Sequence, residues 1–527
     1  MGMGRYLLGR CLRGLLSVII VVGIVMVLVY SCLDRELVFA ADPVYSKQAS
    51  NGREVYKMQQ WEKYGYVDYV PYAEYLRQQV GEGSLTEQAY DAAVVFGDTP
   101  VKDSPEAAKQ IAAFTQLYEA EGYQVVRLPG DMKGKTGKYK EGGEPRLFAY
   151  KNIPVLGRLF RYAAGLIRVD SIHYVQEDIP DRGLTFTLYD PAYGGQKFSP
   201  ALMGNGTQFK YLLYFDSRFP FIHQNLIRLN LGTSYSVSVG TEVLETLTAS
   251  QGSFAYSDVT YPSGVTQLSA DDLHSARYVA GSLENSTAAV GQYFIDDYTG
   301  VRTNKTGLSK LGYSFAIGLL AVVISYMLAV PLGLWMARRK NGLPDRLGSF
   351  YIVFIMAVPS LAYIFLFKAI GGRLGLPTTF NMESPTWLMY VLPVLSLALP
   401  AAANVMKWLR RYLIDQMNGD YVKFARAGGL SEKEIFQRHV LKNAVIPIAH
   451  GIPGAVLFAM TGAIITERVY VVPGAGNVLT RAINAYDNGV IVGMVLFYAV
   501  LSVSSVILGD WLMSLLDPRI KLTERKQ

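Results

Sequence analysis

Few residues of this chain are placed to do covalent chemistry. Three histidines of its hydrophilic part, His173, His223 and His274, have no recognisable catalytic context, and no nucleophile–base pair or carboxylate pair emerges. The two cysteines, Cys11 and Cys32, sit on one apolar segment, where 21 residues of helix hold them about 30 Å apart, too far to pair within the chain. No Cys/His cluster offers a metal site. Gly130 to Thr136, GDMKGKT, imitates a phosphate-binding loop, but it holds three residues between its glycines where four are required. GKYKEGG follows in place of the helix whose N-terminal amides would cradle phosphate, so this is a basic surface loop. The chain is expected to catalyse nothing, with no catalytic residue, metal ligand or cofactor of its own.

What remains is recognition and mechanics, concentrated in the stretch from Asp420 to Pro447, DYVKFARAGGLSEKEIFQRHVLKNAVIP. Lys423, Arg426, Lys433, Arg438 and Lys442 exclude it from hydrocarbon, and it reads as a cytoplasmic loop between two apolar segments. Val422 to Ala427 forms helix readily, and Gly428-Gly429 breaks the run. Ser431 then supplies an N-cap and Glu434 completes a capping box ahead of Ile435, Phe436, Val440 and Leu441. Two short amphipathic helices joined by a glycine corner are expected. Such a loop is rigid enough to pass motion between a membrane bundle and a cytoplasmic partner.

The pattern ARAGGLSEKEI…RHVLKNAVIP resembles the "EAA" coupling loop of binding-protein-dependent ABC importers, in the form found in oligopeptide and dipeptide permeases. Ala425, Arg426, Ala427 and Gly429 match Ala-Arg-Ala-x-Gly, Leu430 and Ser431 follow as in the peptide branch, and His439 and Asn443 also match. Lys423 and Phe424 stand where other branches carry the glutamate that names the motif. The resemblance implies that Ala425, Arg426, Ala427, Gly428, Gly429, Leu430, Ser431 and Glu432 form the contact with an ATPase subunit. It extends to RYLLGRCLRGLL near the N-terminus and to ERVYVVPGAG, residues 467–476, which resembles the family's segment between its fifth and sixth spans.

The elements around the loop follow from charge. Of 527 residues, 41–307 hold 25 Lys+Arg against 30 Asp+Glu, and the rest hold 25 against 13: a mildly acidic block set in a basic, apolar frame. The basic residues cluster beside apolar spans, which accounts for them without nucleic acid. Arg5, Arg10 and Arg13 precede an uncharged run from Gly14 to Leu33, long enough for an uncleaved transmembrane helix with its N-terminus inside. Val29-Tyr30-Ser31-Cys32 resembles a lipobox, but Tyr30 is too large for that site. Further spans are expected at 311–335, 349–370, 387–406, 447–465 and 490–515, giving six with both termini cytoplasmic. Lys368 is expected to snorkel to the outer surface. Prolines 331, 359, 393, 400 and 453 would turn toward other helices or a cavity.

The block at 41–307 is then outside. Ser84 with Glu87 reads as a capping box, and Ser104-Pro105-Glu106 opens a helix with Ile111, Phe114, Leu117 and Tyr118 on one face. Leu184 to Tyr189 alternates like a strand, and Tyr211 to Phe215 reads as a buried one. Tyr64, Tyr66, Tyr69, Tyr72 and Tyr75 suit either a core or a contact surface. The segments from Tyr211 to Asn230 and the LGTSYSVSVGTEVLETL that follows resemble the extracellular part of Ami-type oligopeptide permeases of Gram-positive bacteria.

The fold expected is an all-α polytopic membrane bundle, a type I ABC importer permease, with an inserted α+β extracellular domain. Its divisions are residues 1–40 with the first span, 41–307 as the insertion, and 308–527 as the remaining spans with the coupling loop at about 407–446. The resemblance implies a permease subunit forming half of a pathway for oligopeptides. Its partners would be a second homologous permease, two ABC ATPase subunits that bind the ATP, an extracellular peptide-binding lipoprotein and membrane lipid, in a Gram-positive cell membrane. A membrane-anchored receptor or scaffold would explain the insertion but leave the loop idle. A platform that positions the lipoprotein is expected of the insertion, since a two-lobed binding protein needs repeated parallel strand–helix–strand units.

Overall fold

The computed structural model describes residues 3–516 apart from short breaks, the longest being 95–102, 140–145, 191–195, 216–221, 261–265, 269–275 and, Phe294 excepted, 279–303. Helix α1 (Met3–Cys32) is continuous, and its Leu8–Ser31 portion is long and apolar enough to cross a membrane. Cys11 on it is a free, exposed thiol.

After short helical turns at Arg35–Phe39 and Pro43–Lys47, the intervening block continues with α2 (Ser50–Lys63), β1 (Val67–Pro71), α3 (Tyr72–Gly81) and α4 (Glu87–Ala93). The cap of α4 is Thr86, whose hydroxyl accepts from the Ala89 N–H at 3.2 Å, and not Ser84 as the spacing suggested. Ser84 is taken up in closing the preceding helix: Gly83 turns at φ +72°, and both the Ser84 amide and hydroxyl donate to the Gln79 carbonyl. Helix α5 (Pro105–Ala120) does start at Ser104, which caps Ala107. Phe114 is fully buried, with Ile111 and Tyr118 beside it, but Leu117 is 44% exposed. Tyr118 packs edge-on to Tyr75 and Tyr123.

Strands β2 (Gln124–Arg127) and β3 (Leu147–Asn152) join β1 in an antiparallel sheet ordered β1-β3-β2. The phosphate-loop look-alike lies largely outside the described residues, but Met132–Lys133 pairs with Lys138–Tyr139, a hairpin where a phosphate loop needs a helix. After α6 (Val155–Gly165) and β4 (Ile167–Val169) come β5 (Gly183–Thr187), β6 (Ala201–Asn205), β7 (Tyr211–Phe215), β8 (Ile222–Gln224) and β9 (Ile227–Leu229). They form a sheet ordered β8-β7-β6-β5 and a separate β9-β4 ribbon. Among the described residues every ladder is antiparallel, so the parallel units of a two-lobed binding protein do not occur there. Tyr211 and Leu212 are buried, as read, but Leu184 and Phe186 on edge strand β5 are more than half exposed. All five tyrosines from Tyr64 to Tyr75 are core.

Helix α7 (Val243–Thr248) and the loop before it bring this block onto the membrane helices. These are α8 (Lys310–Arg338), α9 (Leu343–Ala357), α10 (Ser360–Arg373) and α11 (Val391–Met417). There follow α12 (Asp420–Ala427), α13 (Glu432–Ile435), α14 (Lys442–Phe458), α15 (Ile464–Tyr470), α16 (Gly476–Asn484) and α17 (Asn488–Leu516). Five stretches are long and apolar enough to cross a membrane singly, and α9 and α10 meet that test only as a pair bent by 107°. In place of the unbroken span expected at 349–370 there are thus two helices meeting at Val358-Pro359. Pro359 cannot donate, and Val358 before it takes the extended conformation (ψ 129°) that a following proline favours.

Leu231, Val243 and Leu247 share one buried cluster with Val18, Val22 and Met26 of α1 and Val490 and Met494 of α17. Gly489 and Gly493 permit this, because a Cβ at either would strike the Thr233 or Leu231 carbonyl. Beside them the fully buried Asp487 carboxylate accepts from the Ser234 hydroxyl at 2.7 Å and from the amides of Tyr235, Ser236 and Val237 at 2.9–3.0 Å. Asn488 donates to the Tyr66 hydroxyl at 2.6 Å. The inserted block is thus bolted to the start of the last span.

Candidate coupling site

The corner read from sequence is present, with one change of architecture. Helix α12 ends as Gly428 (φ −75°) leads to Gly429 (φ +82°), while Gly429 and Leu430 donate back to the Arg426 and Ala425 carbonyls. Only Gly429 needs the left-handed region, and a Cβ there would meet no atom within 4 Å, so its requirement is torsional and not steric. Ser431 and Glu434 form the expected capping box, Glu434 N–H donating to Ser431 Oγ at 3.3 Å and Ser431 N–H to Glu434 Oε2 at 3.1 Å. The second helix is not short, however. α13 passes through a π-helical turn, residues 436–441, directly into α14, so the corner's far limb is the first turn of a span. Nothing between Ser431 and Pro447 breaks a helix, and Pro447 is accommodated within it.

The two faces of the corner differ. Val422, Ile435, Phe436 and Val440 are buried against Ala337, Leu409, Leu413 and Ala444, which belong to α8, α11 and α14, with Ala425 and Leu430 partly covered by the same cluster. The Arg338 guanidinium lies 4.3 Å over the Phe436 ring. On the other side Arg426, Ala427, Gly428, Gly429, Ser431 and Glu432 are exposed, and Phe424 projects at 77% exposure. Arg426 clasps Glu432 across the bend at 2.5 and 3.1 Å, and a hollow of about 420 Å³ opens between this pair and Arg338, Met417, Phe436 and Gln437. One face is fixed to three membrane helices and the other is free to meet a partner.

Sequence reasoning missed two groups that hold the bundle around this corner. Asp345, in the first turn of α9 and only 3% exposed, takes a bidentate pair from Arg410 of α11 at 2.5 and 2.8 Å, plus the Asn341 amide. Arg410 falls within the coupling loop as bounded from sequence, about 407–446, yet α11 runs past it to Met417. The signal for Asp345 was Leu343-Pro344-Asp345, a helix start with its acid in the first turn. Glu467 of α15 is buried, accepting from Ser314 Oγ at 2.7 Å and from the Gly476 N–H at 2.9 Å, and burial pushes its carboxyl above the ordinary range. Gly474 and Gly476 leave room for it, since a Cβ at either would lie 2.5 or 2.8 Å from the Glu467 carboxylate and the carboxylate would have to move. Glu467 edges a cavity of about 260 Å³ with Ser314, Ala321, Pro393, Ala455 and Thr466. Lys368 does not snorkel freely; it donates to the Val469 carbonyl at 2.6 Å.

Of the three histidines, His223 stacks on Tyr214 at 5.2 Å, His173 is exposed, and His274 falls outside the described residues.

Residues 329–522, which contain the corner and the last four spans, match the family described as "Binding-protein-dependent transport system inner membrane component". Over 530 aligned residues the chain is 36% identical to the oligopeptide transport system permease protein AmiC of Streptococcus pneumoniae, covering 99% of both chains. The chain belongs to this permease family. It is also 31% identical to the dipeptide transport system permease protein DppB of Lactococcus lactis, over 40% of this chain and 70% of that one. A chain of the MetNI methionine ABC transporter, in inward-facing conformations, aligns at TM-score 0.32 and 13% identity over 40% of this chain and 94% of its own. The first two relatives differ in reach: the AmiC match spans 99% of this chain and so includes the inserted block, whereas the DppB match spans 40% of it.

Proposed function

We propose that this permease subunit carries oligopeptides across the cell membrane as half of an ATP-driven import pathway. The observation that carries this reading is the two-faced corner at 420–441, anchored to α8, α11 and α14 and open outward. Its partners are a second homologous permease, two ABC ATPase subunits and a peptide-binding lipoprotein. Each ATPase-driven push enters through Ala425 to Glu432 and passes along the continuous helix of α13 and α14. Hydrolysis belongs to the ATPase chains and no cofactor to this one. Both termini are cytoplasmic in a Gram-positive membrane, which puts residues 41–307 outside as a platform for the lipoprotein. A receptor or scaffold would have no use for the corner.

Two experiments test this. The chain is purified from its native membrane and the co-purifying proteins are identified; two ATPase subunits are expected, and their absence overturns the reading. Sidedness is tested by an impermeant thiol reagent on intact cells. A cysteine between Lys133 and Gly143 is expected to react and one at Glu432 to stay protected, and the reverse pattern overturns the orientation.

A further inference from the structure

Helix α6 and the β4–β9 ribbon each present an apolar face outward. On α6 the outward face consists of Leu156, Phe160, Ala163 and Ala164, one stripe at helical spacing, with Leu156 and Phe160 at 74% and 75% exposure. Its arginines lie off that stripe: Arg158 is half-buried over the Tyr30 and Tyr66 rings and donates to the Ile153 carbonyl, and Arg161, itself exposed, pairs with Asp68 at 2.7 Å. The ribbon repeats the arrangement. Ile167 faces Leu229 and Val169 faces Ile227 across the ladder, all four more than half exposed, while Arg168 and Arg228 both reach Glu242 at 3.5 Å. Presenting a contiguous set of aliphatic and aromatic groups outward while the neighbouring cations are tied to Asp68, Glu242 and the Tyr30 and Tyr66 rings is not what water selects.

The depth of α6 identifies what does select it. Leu159, on its inner face, packs against Gly23 of α1, with 3.7 Å between the Leu159 methyl and the position of a Cβ there. Gly23 lies in the uncharged run from Gly14 to Leu33, nine residues before Cys32 and so about 14 Å along the helix from its end. Leu159, Tyr162 and Leu166 join the cluster containing Val18, Val22 and Met26. The exposed stripe of α6 therefore continues the outward surface of α1, where Ile20, Ile24 and Leu28 are more than half exposed.

We infer that α6 is a membrane-embedded interfacial helix of the inserted block, its Leu156–Phe160 face occupied by lipid acyl chains of the leaflet next to that block. A helix satisfies its own backbone and can enter hydrocarbon, whereas the two-stranded ribbon has open edges and must rest at headgroup level with its apolar face down. The block is thereby held against the bilayer beside its own first span.

The test uses the full-length chain, with Cys11→Ser and Cys32→Ser, reconstituted with its partner subunits in phosphatidylcholine–phosphatidylglycerol vesicles. A nitroxide is attached at Phe160→Cys and, independently, at Leu156→Cys. Ile24→Cys serves as the lipid reference and Glu119→Cys as the water reference. Collision with oxygen at the level of Ile24→Cys, with exclusion of a water-soluble nickel chelate, is expected at both positions. Chelate access like that of Glu119→Cys means that the face meets water and overturns the inference. Shielding from both relaxers means that a protein partner covers it and equally overturns it.

Discussion

At the scale of single residues, the two positions that matter most are held by opposite constraints. Gly429 needs a left-handed backbone but no space, so a substitution series should follow torsional tolerance and ignore size alone. Gly429→Asn is expected to cost least, Gly429→Ala about 1–2 kcal/mol, and Gly429→Val most, because β-branched residues are the poorest occupants of that region. Peptide-stimulated ATP turnover in reconstituted complexes should fall in the same order while membrane insertion is unaffected; equal activity across the series would remove the corner from the coupling path. Glu467 is constrained by burial. Its carboxyl is pushed above the ordinary range, so the folded state keeps its proton over an interval where the unfolded chain has lost it. Stability contributed by this group is present at low pH and declines as pH rises through the raised value. Glu467→Gln keeps an acceptor for the Gly476 amide and cannot ionise. Melting of the purified chain between about pH 4 and 8 should show the Gln variant gaining on the parent as pH rises, whereas Glu467→Ala should be destabilised throughout.

At the scale of elements, the capping box and the continuous α13–α14 limb make a direct prediction. Ser431→Ala removes the side-chain acceptor for the Glu434 amide and should cost about 1 kcal/mol, and Ser431→Asp should restore most of it. The fraying is read as faster hydrogen exchange at residues 431–436, with α12 unchanged. This corner was legible in the sequence because its signals are local: a glycine pair, a cap and its partner three residues on. Six apolar stretches were legible for the same reason. The misreadings occurred where a residue's partner is distant or contested. Ser84 had the right neighbour for a cap but was already committed to the end of α3, and Thr86 took its place. Pro359 was seen, but whether a proline kinks a span or breaks it by 107° depends on what the two halves pack against. Arg410 and Asp345 lie 65 residues apart, and no local pattern pairs them. The exposed side chains of β5 and α6 defeat alternation rules altogether, since those rules assume that the apolar face turns inward.

At the scale of the whole molecule, the boundary at residue 307 does not separate two independent bodies, because the loop at 231–237 and helix α7 are built into the cluster formed by α1 and α17. Asp487 is the fastening. Its carboxylate has five protein donors between Ser234 and Val237, three of them backbone amides, and the Tyr64 and Tyr235 hydroxyls each reach the other residue's carbonyl. Asp487→Ala strips those buried amides of their acceptor, and with each orphaned donor costing about 1–3 kcal/mol the loop should lose its seat. Proteolysis of the full-length chain in membranes should then cut within residues 231–248, where the parent resists, and peptide import should fall although the corner at 420–441 is untouched. If the insertion only held a lipoprotein over a self-sufficient pore, cleavage at that loop would leave the melting of the membrane helices unchanged. A drop in their melting on the same substitution would mean that α7 and its loop are structural parts of the permease, and that motion of α17 during transport is felt by the block above it.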